Sequence, residues 1–123
     1  MDILIVEDHE ISSTLLSMLL KNAGCTFDIA TTGIQAIKLY FSKPYDLLLM
    51  DLGLPDLSGL NVIKFLRLYK PYRFHTPIAV ITAHDNREGA SNTDVDWFFT
   101  KPVESKSFLN LINKLKFGLY TGA

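Results

Sequence analysis

The hydrophobic positions of this chain change period several times, and each change marks an element. Ile3-Leu4-Ile5-Val6 is an unbroken apolar run with β-branched residues, which predicts a strand buried on both faces. Ile11, Leu15, Met18, Leu19 and Asn22 follow at helical spacing, predicting a first helix with this stripe inward and Gly24 as its end cap. Leu16 and Leu20 fall off that stripe, which leaves two readings, semi-buried side chains or a site that docks a partner helix. Thr26–Ala30 reads as a second strand. Thr32-Gly33 opens a helix carrying Ile34, Ala36, Ile37, Tyr40 and Phe41, and Lys43-Pro44 ends it. Leu47–Met50 is a third buried strand. After a loop marked by Pro55, Ser58 and Gly59, a third helix places Leu60, Val62, Ile63 and Leu66 inward and Lys64, Arg67 and Lys70 outward. Pro71 stops it. Ile78–Ile81 predicts a fourth strand, the polar stretch Asp85–Asn92 a short fourth helix, and Val95–Phe99 a fifth strand. Ser107–Phe117 predicts a last helix with Phe108, Leu111, Ile112 and Leu115 inward. Five strands alternating with five helices predict an α/β fold, a parallel sheet covered on both faces.

Composition narrows the class. The 123 residues suit one domain, and 48% hydrophobic against 20% charged residues supports a packed core. The single cysteine, Cys25, excludes an internal disulfide framework, and the three His with one Cys lack zinc-site spacing. No apolar run approaches the length of a membrane span or a signal-peptide core, so a cytoplasmic location is expected. The net charge of −1 offers no overall attraction to nucleic acid. It conceals an imbalance: residues 1–60 hold eight acids and three bases, a net −5, and residues 61–123 hold five acids and nine bases, a net +4. Lys64–Phe74 interleaves Lys64, Arg67, Lys70 and Arg73 with Phe65, Tyr69, Tyr72 and Phe74. Such a mixture can bind nucleic acid, but the outer face of the third helix explains it more simply.

In open α/β sheets, ligands bind beyond the carboxyl ends of the strands. The first strand ends at Glu7-Asp8, the third at Asp51, the fourth at Thr82 and the fifth at Thr100-Lys101-Pro102. Three carboxylates at close quarters repel one another unless a cation joins them, and oxygen ligands suit Mg²⁺. Lys101 supplies a fixed charge and Thr82 a hydroxyl for phosphoryl oxygens. A carboxylate such as Asp51 can act as a nucleophile and form an acyl phosphate.

These pieces match a family in order and spacing: Ile3–Asp8, then Met50-Asp51-Leu52-Gly53-Leu54-Pro55-Asp56-Leu57-Ser58-Gly59, then Ile81-Thr82-Ala83, then Thr100-Lys101-Pro102. The chain resembles a response-regulator receiver domain of two-component signalling across essentially its whole length. The resemblance implies a flavodoxin-like doubly wound sheet in the order 2-1-3-4-5, with residues 1–118 as the receiver domain and 119–123 as a tail. It implies that Asp51 accepts a phosphoryl group from a histidine kinase or histidine phosphotransfer protein, in a switch domain rather than a turnover enzyme. Glu7, Asp8, Asp51 and the Gly53 backbone carbonyl would hold Mg²⁺. Thr82, Lys101 and Phe98 would contact the phosphoryl group or relay the switch, and the Lys101–Pro102 bond would be cis. Gly53 and His84, each two residues past a site residue, are expected to tune phosphoryl lifetime. His9, after the acidic pair, and His84, two residues past Thr82, are within reach of the same pocket by sequence, though loop histidines are more often incidental. A homodimer through the fourth helix, fifth strand and fifth helix is a further expectation, with no direct nucleic-acid contact and no membrane insertion.

One region departs from the family: residues 83–94 are shorter than usual, and Gly89 interrupts the predicted fourth helix. Alternatives are weaker. A haloacid-dehalogenase-like phosphatase needs a second acid where Gly53 stands. A flavodoxin-like cofactor binder needs a phosphate-cradling loop after the first strand. A receiver-like module that signals without phosphorylation would not require the acid, hydroxyl and lysine set.

Overall fold

The alternation of short apolar runs with amphipathic stretches folds as a parallel sheet between helical layers. The computed structural model describes residues 1–69, 76–83 and 95–118. The elements are β1 (Asp2–Val6), α1 (Glu10–Asn22), β2 (Thr26–Ala30), α2 (Gly33–Ser42), β3 (Leu47–Met50), α3 (Gly59–Tyr69), β4 (Ile78–Thr82), β5 (Trp97–Thr100) and α4 (Ser105–Lys116). All strand pairs are parallel, in the order β2-β1-β3-β4-β5. The predicted fourth helix at 85–92, together with His84, Lys70, Pro71, Tyr72, Arg73, Phe74 and the tail 119–123, lies outside the described residues. The fifth strand runs Trp97–Thr100 rather than the expected Val95–Phe99. No helix among the described residues is long and apolar enough to cross a membrane.

The central strands are apolar at every position because both their faces are covered. Leu4, Val6, Leu48, Met50, Ile78 and Val80 face α2 and α3, with Ala36, Tyr40, Val62, Ile63 and Leu66. Ile3, Ile5, Leu47, Leu49, Ala79 and Ile81 face α1 and α4, with Leu16, Leu20, Phe108, Leu111 and Ile112. Gly24, expected to cap α1, has a left-handed φ of 76°, and the Lys116 ammonium of α4 donates to the adjacent Ala23 carbonyl at 2.7 Å.

Two expectations are corrected. Helix α1 is rotated from the predicted stripe: Leu16 and Leu20 are buried, whereas Ile11, Leu15 and Met18 are 77%, 55% and 56% exposed. Of the two readings of Leu16 and Leu20, docking is therefore excluded, and both are buried outright at 4% and 0% exposed. The buried face includes Ser13 and Ser17, small residues that let the helix approach the sheet. Their hydroxyls bond back to Glu10 O at 3.1 Å and Ser13 O at 2.6 Å, so burying them leaves no polar group unsatisfied. Arg67, expected outward, is buried. Its Nη1 donates to Thr76 O at 2.8 Å, and its Nη2 lies 3.4 Å from Asp96 Oδ2. That carboxylate oxygen also accepts from Ile78 N at 2.8 Å, tying α3 to the starts of β4 and β5.

A long-range cap secures α2. Thr32 Oγ1 accepts from Gln35 N at 3.1 Å. Asp56 reaches across from the loop after β3, where its two oxygens accept from Gly33 N at 2.7 Å and Ile34 N at 3.0 Å. The Gly33 amide, foremost among these bonds, holds the Asp56 carboxyl below its usual pKa. A carboxyl depressed on folding adds stability above its unfolded pKa of about 3.9, and that stability is lost as pH falls through the folded value. Asp56→Asn is expected to flatten the acid limb of stability against pH below about pH 4, read by urea melts across that range. An unchanged limb would contradict the cap.

Candidate functional site

The parallel ladder continues one residue past the strand ends and places the polar residues there. Glu7 N donates to Ala30 O at 2.9 Å, Asp51 N to Val6 O at 3.0 Å, and Lys101 N to Thr82 O at 2.9 Å. Glu7, Asp51 and Lys101 are thus held at one end of the sheet by backbone bonds rather than by loop conformation.

The side chains converge there. Carboxylate oxygens of Glu7, Asp8 and Asp51 all lie within 4.8 Å of one another. Glu7 and Asp51 are 2% and 6% exposed, while Asp8 faces solvent. Lys101 Nζ lies 2.7 Å from Glu7 Oε1 and 3.4 Å from Asp51 Oδ2. His9 N donates to Glu7 Oε2 and Gly53 N to Asp51 Oδ1, each at 3.2 Å. Burial pushes the Glu7 carboxyl above its ordinary pKa, against the pull of Lys101; neighbouring Asp51 adds to the rise. For Lys101, burial opposes the charge, but Glu7 and Asp51 outweigh it and the pKa rises. Three acids against one ammonium leave a cluster rich in carboxylate oxygens, a donor set that fits a hard divalent cation.

Thr82 ends β4 fully buried, and its Oγ1 has no hydrogen-bond partner among the described residues. A buried hydroxyl without a partner is costly, which marks this oxygen as poised for something beyond the described atoms. Thr82 pairs with Thr100 and Val80 with Phe98. With a side-chain period of two, Thr82 and Phe98 therefore share the sheet face covered by α2 and α3. Phe98 is half-buried against that face's core. The Lys101–Pro102 peptide is cis.

The structure thus brings together Glu7, Asp8, Asp51 and Lys101, with Thr82 and Phe98 on adjacent strands. Gly53 lies on the exposed loop beyond Asp51, in an isolated bridge to Ser58. His9 is the exposed N-cap of α1, and its side chain makes no capping bond. The resemblance also implies that Lys101 meets Asp51 before phosphorylation; that contact is present at 3.4 Å, with Glu7 closer at 2.7 Å. Sequence reasoning missed Gly59, whose glycine identity was the available signal. A Cβ there would lie 2.5 Å from Asp51 O and 2.7 Å from Leu52 Cα. Helix α3 begins against the very peptide that carries Asp51. Gly59→Ala is expected to destabilise the domain by about 1–3 kcal/mol through this clash, measured by urea denaturation.

Comparison with known proteins gives the same picture. Residues 3–113 match the family model for the response regulator receiver domain. The chain is 30% identical over 117 residues to hybrid signal transduction histidine kinase G of Dictyostelium discoideum, with 91% of this chain covered. It is 28% identical over 116 residues to the aerobic respiration control sensor protein ArcB of Escherichia coli K12, with 93% covered. It spans only 3% and 15% of those two relatives' lengths. Among solved structures, the response regulator protein TrrA of Thermotoga maritima in complex with Mg²⁺-BeF superimposes with a TM-score of 0.81 at 28% identity. That alignment covers 93% of this chain and 97% of the other.

Proposed function

Because this chain belongs to the response regulator receiver domain family of two-component signalling, we propose that Asp51 is its phosphoacceptor and that the acidic cluster holds Mg²⁺. The observation that carries this reading is the convergence of Glu7, Asp8, Asp51 and Lys101 at the carboxyl end of a parallel sheet. Glu7, Asp8, Asp51 and the Gly53 carbonyl would hold the ion, which would neutralise phosphoryl oxygens when bound. The TrrA complex with Mg²⁺-BeF supports this choice of metal.

The chain's own residues do the rest. A carboxylate oxygen of Asp51 attacks the donor's phosphorus, and the P–N bond to a histidine or P–O bond to a small donor breaks. The leaving group departs with the bonding pair, and an acyl phosphate remains on Asp51. Lys101 exchanges part of its contact with Glu7 and Asp51 for a phosphoryl oxygen. The Thr82 hydroxyl donates to another, which gives that buried group a partner. Phe98, on the same sheet face, turns into the space Thr82 leaves. This is a self-phosphorylating switch in a cytoplasmic signalling chain, not a turnover enzyme, with Gly53 and His84 tuning the lifetime of the acyl phosphate.

The donor is a histidine kinase or histidine phosphotransfer protein. Its docking face is the exposed side of α1, where Ile11, Leu15 and Met18 border a groove of about 530 Å³ that also includes Lys101, Pro102 and Val103. Leu15→Glu with Met18→Glu is expected to slow phosphotransfer from the protein donor more than about tenfold. Labelling by acetyl phosphate and the melting temperature should stay as they were, because both side chains are exposed. Equal loss from both donors would contradict the docking face.

The direct test of the proposal is incubation with acetyl phosphate with and without Mg²⁺, followed by intact-mass measurement. A Mg²⁺-dependent phosphoryl adduct that hydroxylamine removes is the expected result. No adduct under any condition would overturn the reading.

A further inference from the structure

We propose that the exposed face shared by α2 and α3 docks an acidic amphipathic helix of a partner protein. This face lies on the opposite side of the sheet from α1. Of the ten large hydrophobic side chains exposed among the described residues, six belong to it or adjoin it: Ile34, Phe41, Leu57, Phe65, Leu68 and Tyr69. Three of them, Phe41, Phe65 and Tyr69, join the two helices through ring contacts. Phe41 of α2 meets Phe65 of α3 edge-on with ring centroids 6.4 Å apart, and Phe65 lies 4.7 Å from Tyr69. Leu57 abuts the start of α2, since a Cβ built on Gly33 would lie 2.9 Å from its own. An apolar strip that bridges two helices and stays open to solvent has the character of an interaction surface.

The charges on this face name the occupant. Neither α2 nor α3 contains an aspartate or glutamate, and the exposed charges these two helices carry are Lys38 and Lys64. The adjoining acid, Asp56, already accepts from the Gly33, Ile34 and Leu57 amides. Complementarity therefore requires a negative partner. A second copy pairing through the same face would set lysines against lysines. An anionic bilayer needs a larger basic cluster or a second anchor than two lysines provide. The sheet edges, β2 and β5, lie elsewhere, so strand addition does not apply here. Helices of 10 and 11 residues offer a strip roughly 15 Å long, which matches about three turns of a docked helix.

The test uses the full chain and a synthetic peptide with Leu and Phe at helical i, i+3, i+4, i+7 spacing and Glu elsewhere. A companion peptide carries Lys in place of Glu. Amide chemical shifts are followed by NMR during titration. The acidic peptide is expected to move resonances of residues 33–42 and 59–69 and to bind at least about fivefold more weakly to Lys38→Glu/Lys64→Glu. The basic peptide is expected to prefer that double variant. Leu68→Glu should weaken both peptides without changing the melting temperature or acetyl-phosphate labelling, so its failure is separable from failure of the phosphoacceptor reading. Shifts confined to α1, no binding of the acidic peptide, or equal binding of both peptides would overturn the proposal. So would use of the face by another occupant: a dimer that Leu68→Glu abolishes, phosphatidylserine vesicles, or a single-stranded oligonucleotide that displaces the peptide.

Discussion

Asp51→Asn is expected to take up no phosphoryl group from acetyl phosphate in Mg²⁺, a loss of at least about a hundredfold in labelling rate. An amide oxygen is a far poorer nucleophile than a carboxylate. The substitution also removes one of the three charges that make the concavity attractive to a cation. The variant should fold, because Asn matches Asp in shape and its oxygen still accepts from Gly53 N. Its contact with Lys101 weakens, but Glu7 remains 2.7 Å from that ammonium and keeps it paired. Intact-mass measurement after matched incubations decides the matter. Residual adduct at the wild-type level would move the acceptor to another side chain. A folded variant without adduct would place it at Asp51.

Arg67→Ala is expected to cost roughly 3–5 kcal/mol, the largest stability loss among the substitutions considered, with a fall in melting temperature of roughly 10 °C or more. Truncation would leave Asp96 at 15% side-chain exposure without its guanidinium partner, and would deprive Thr76 O of a donor. Arg67→Met should cost less, since its chain refills the space, yet it too removes the guanidinium that faces Asp96. Combining Arg67→Met with Asp96→Asn should recover part of the loss, because the carboxylate that the guanidinium faced is then neutral while Asn still offers an oxygen to Ile78 N. Urea melts of the four proteins form the required cycle. A loss near 0.5 kcal/mol for Arg67→Ala would mean that the pair behaves as an exposed one.

The strands, their order along the chain and the site residues were legible in the primary structure for a simple reason. A parallel sheet covered on both faces needs uninterrupted apolar strands, so Ile3–Val6, Leu47–Met50 and Ile78–Ile81 stand out, and polar residues immediately after them can only lie at the sheet's carboxyl end. Helix orientation was less legible. Helix α1 carries leucines on more than one face, and hydrophobic spacing alone favoured Ile11, Leu15 and Met18. The face that is buried instead carries Ser13 and Ser17, whose hydroxyls are satisfied within the helix, a property no apolarity pattern contains. Arg67 misled for the related reason that its counter-charge, Asp96, lies 29 residues away along the chain.

By itself, the sequence determined the element types among the described residues, the parallel architecture, and the placement of Glu7, Asp8, Asp51, Thr82 and Lys101 at the carboxyl ends of the strands, because each follows from local periodicity and strand ends. Only the tertiary structure decided which face of α1 meets water, that Arg67 is buried, that Lys101 leans toward Glu7, and that Asp56 caps a helix begun 23 residues earlier. Those outcomes depend on distances between residues far apart in the chain. Such distances exist only once the sheet has brought its strands together.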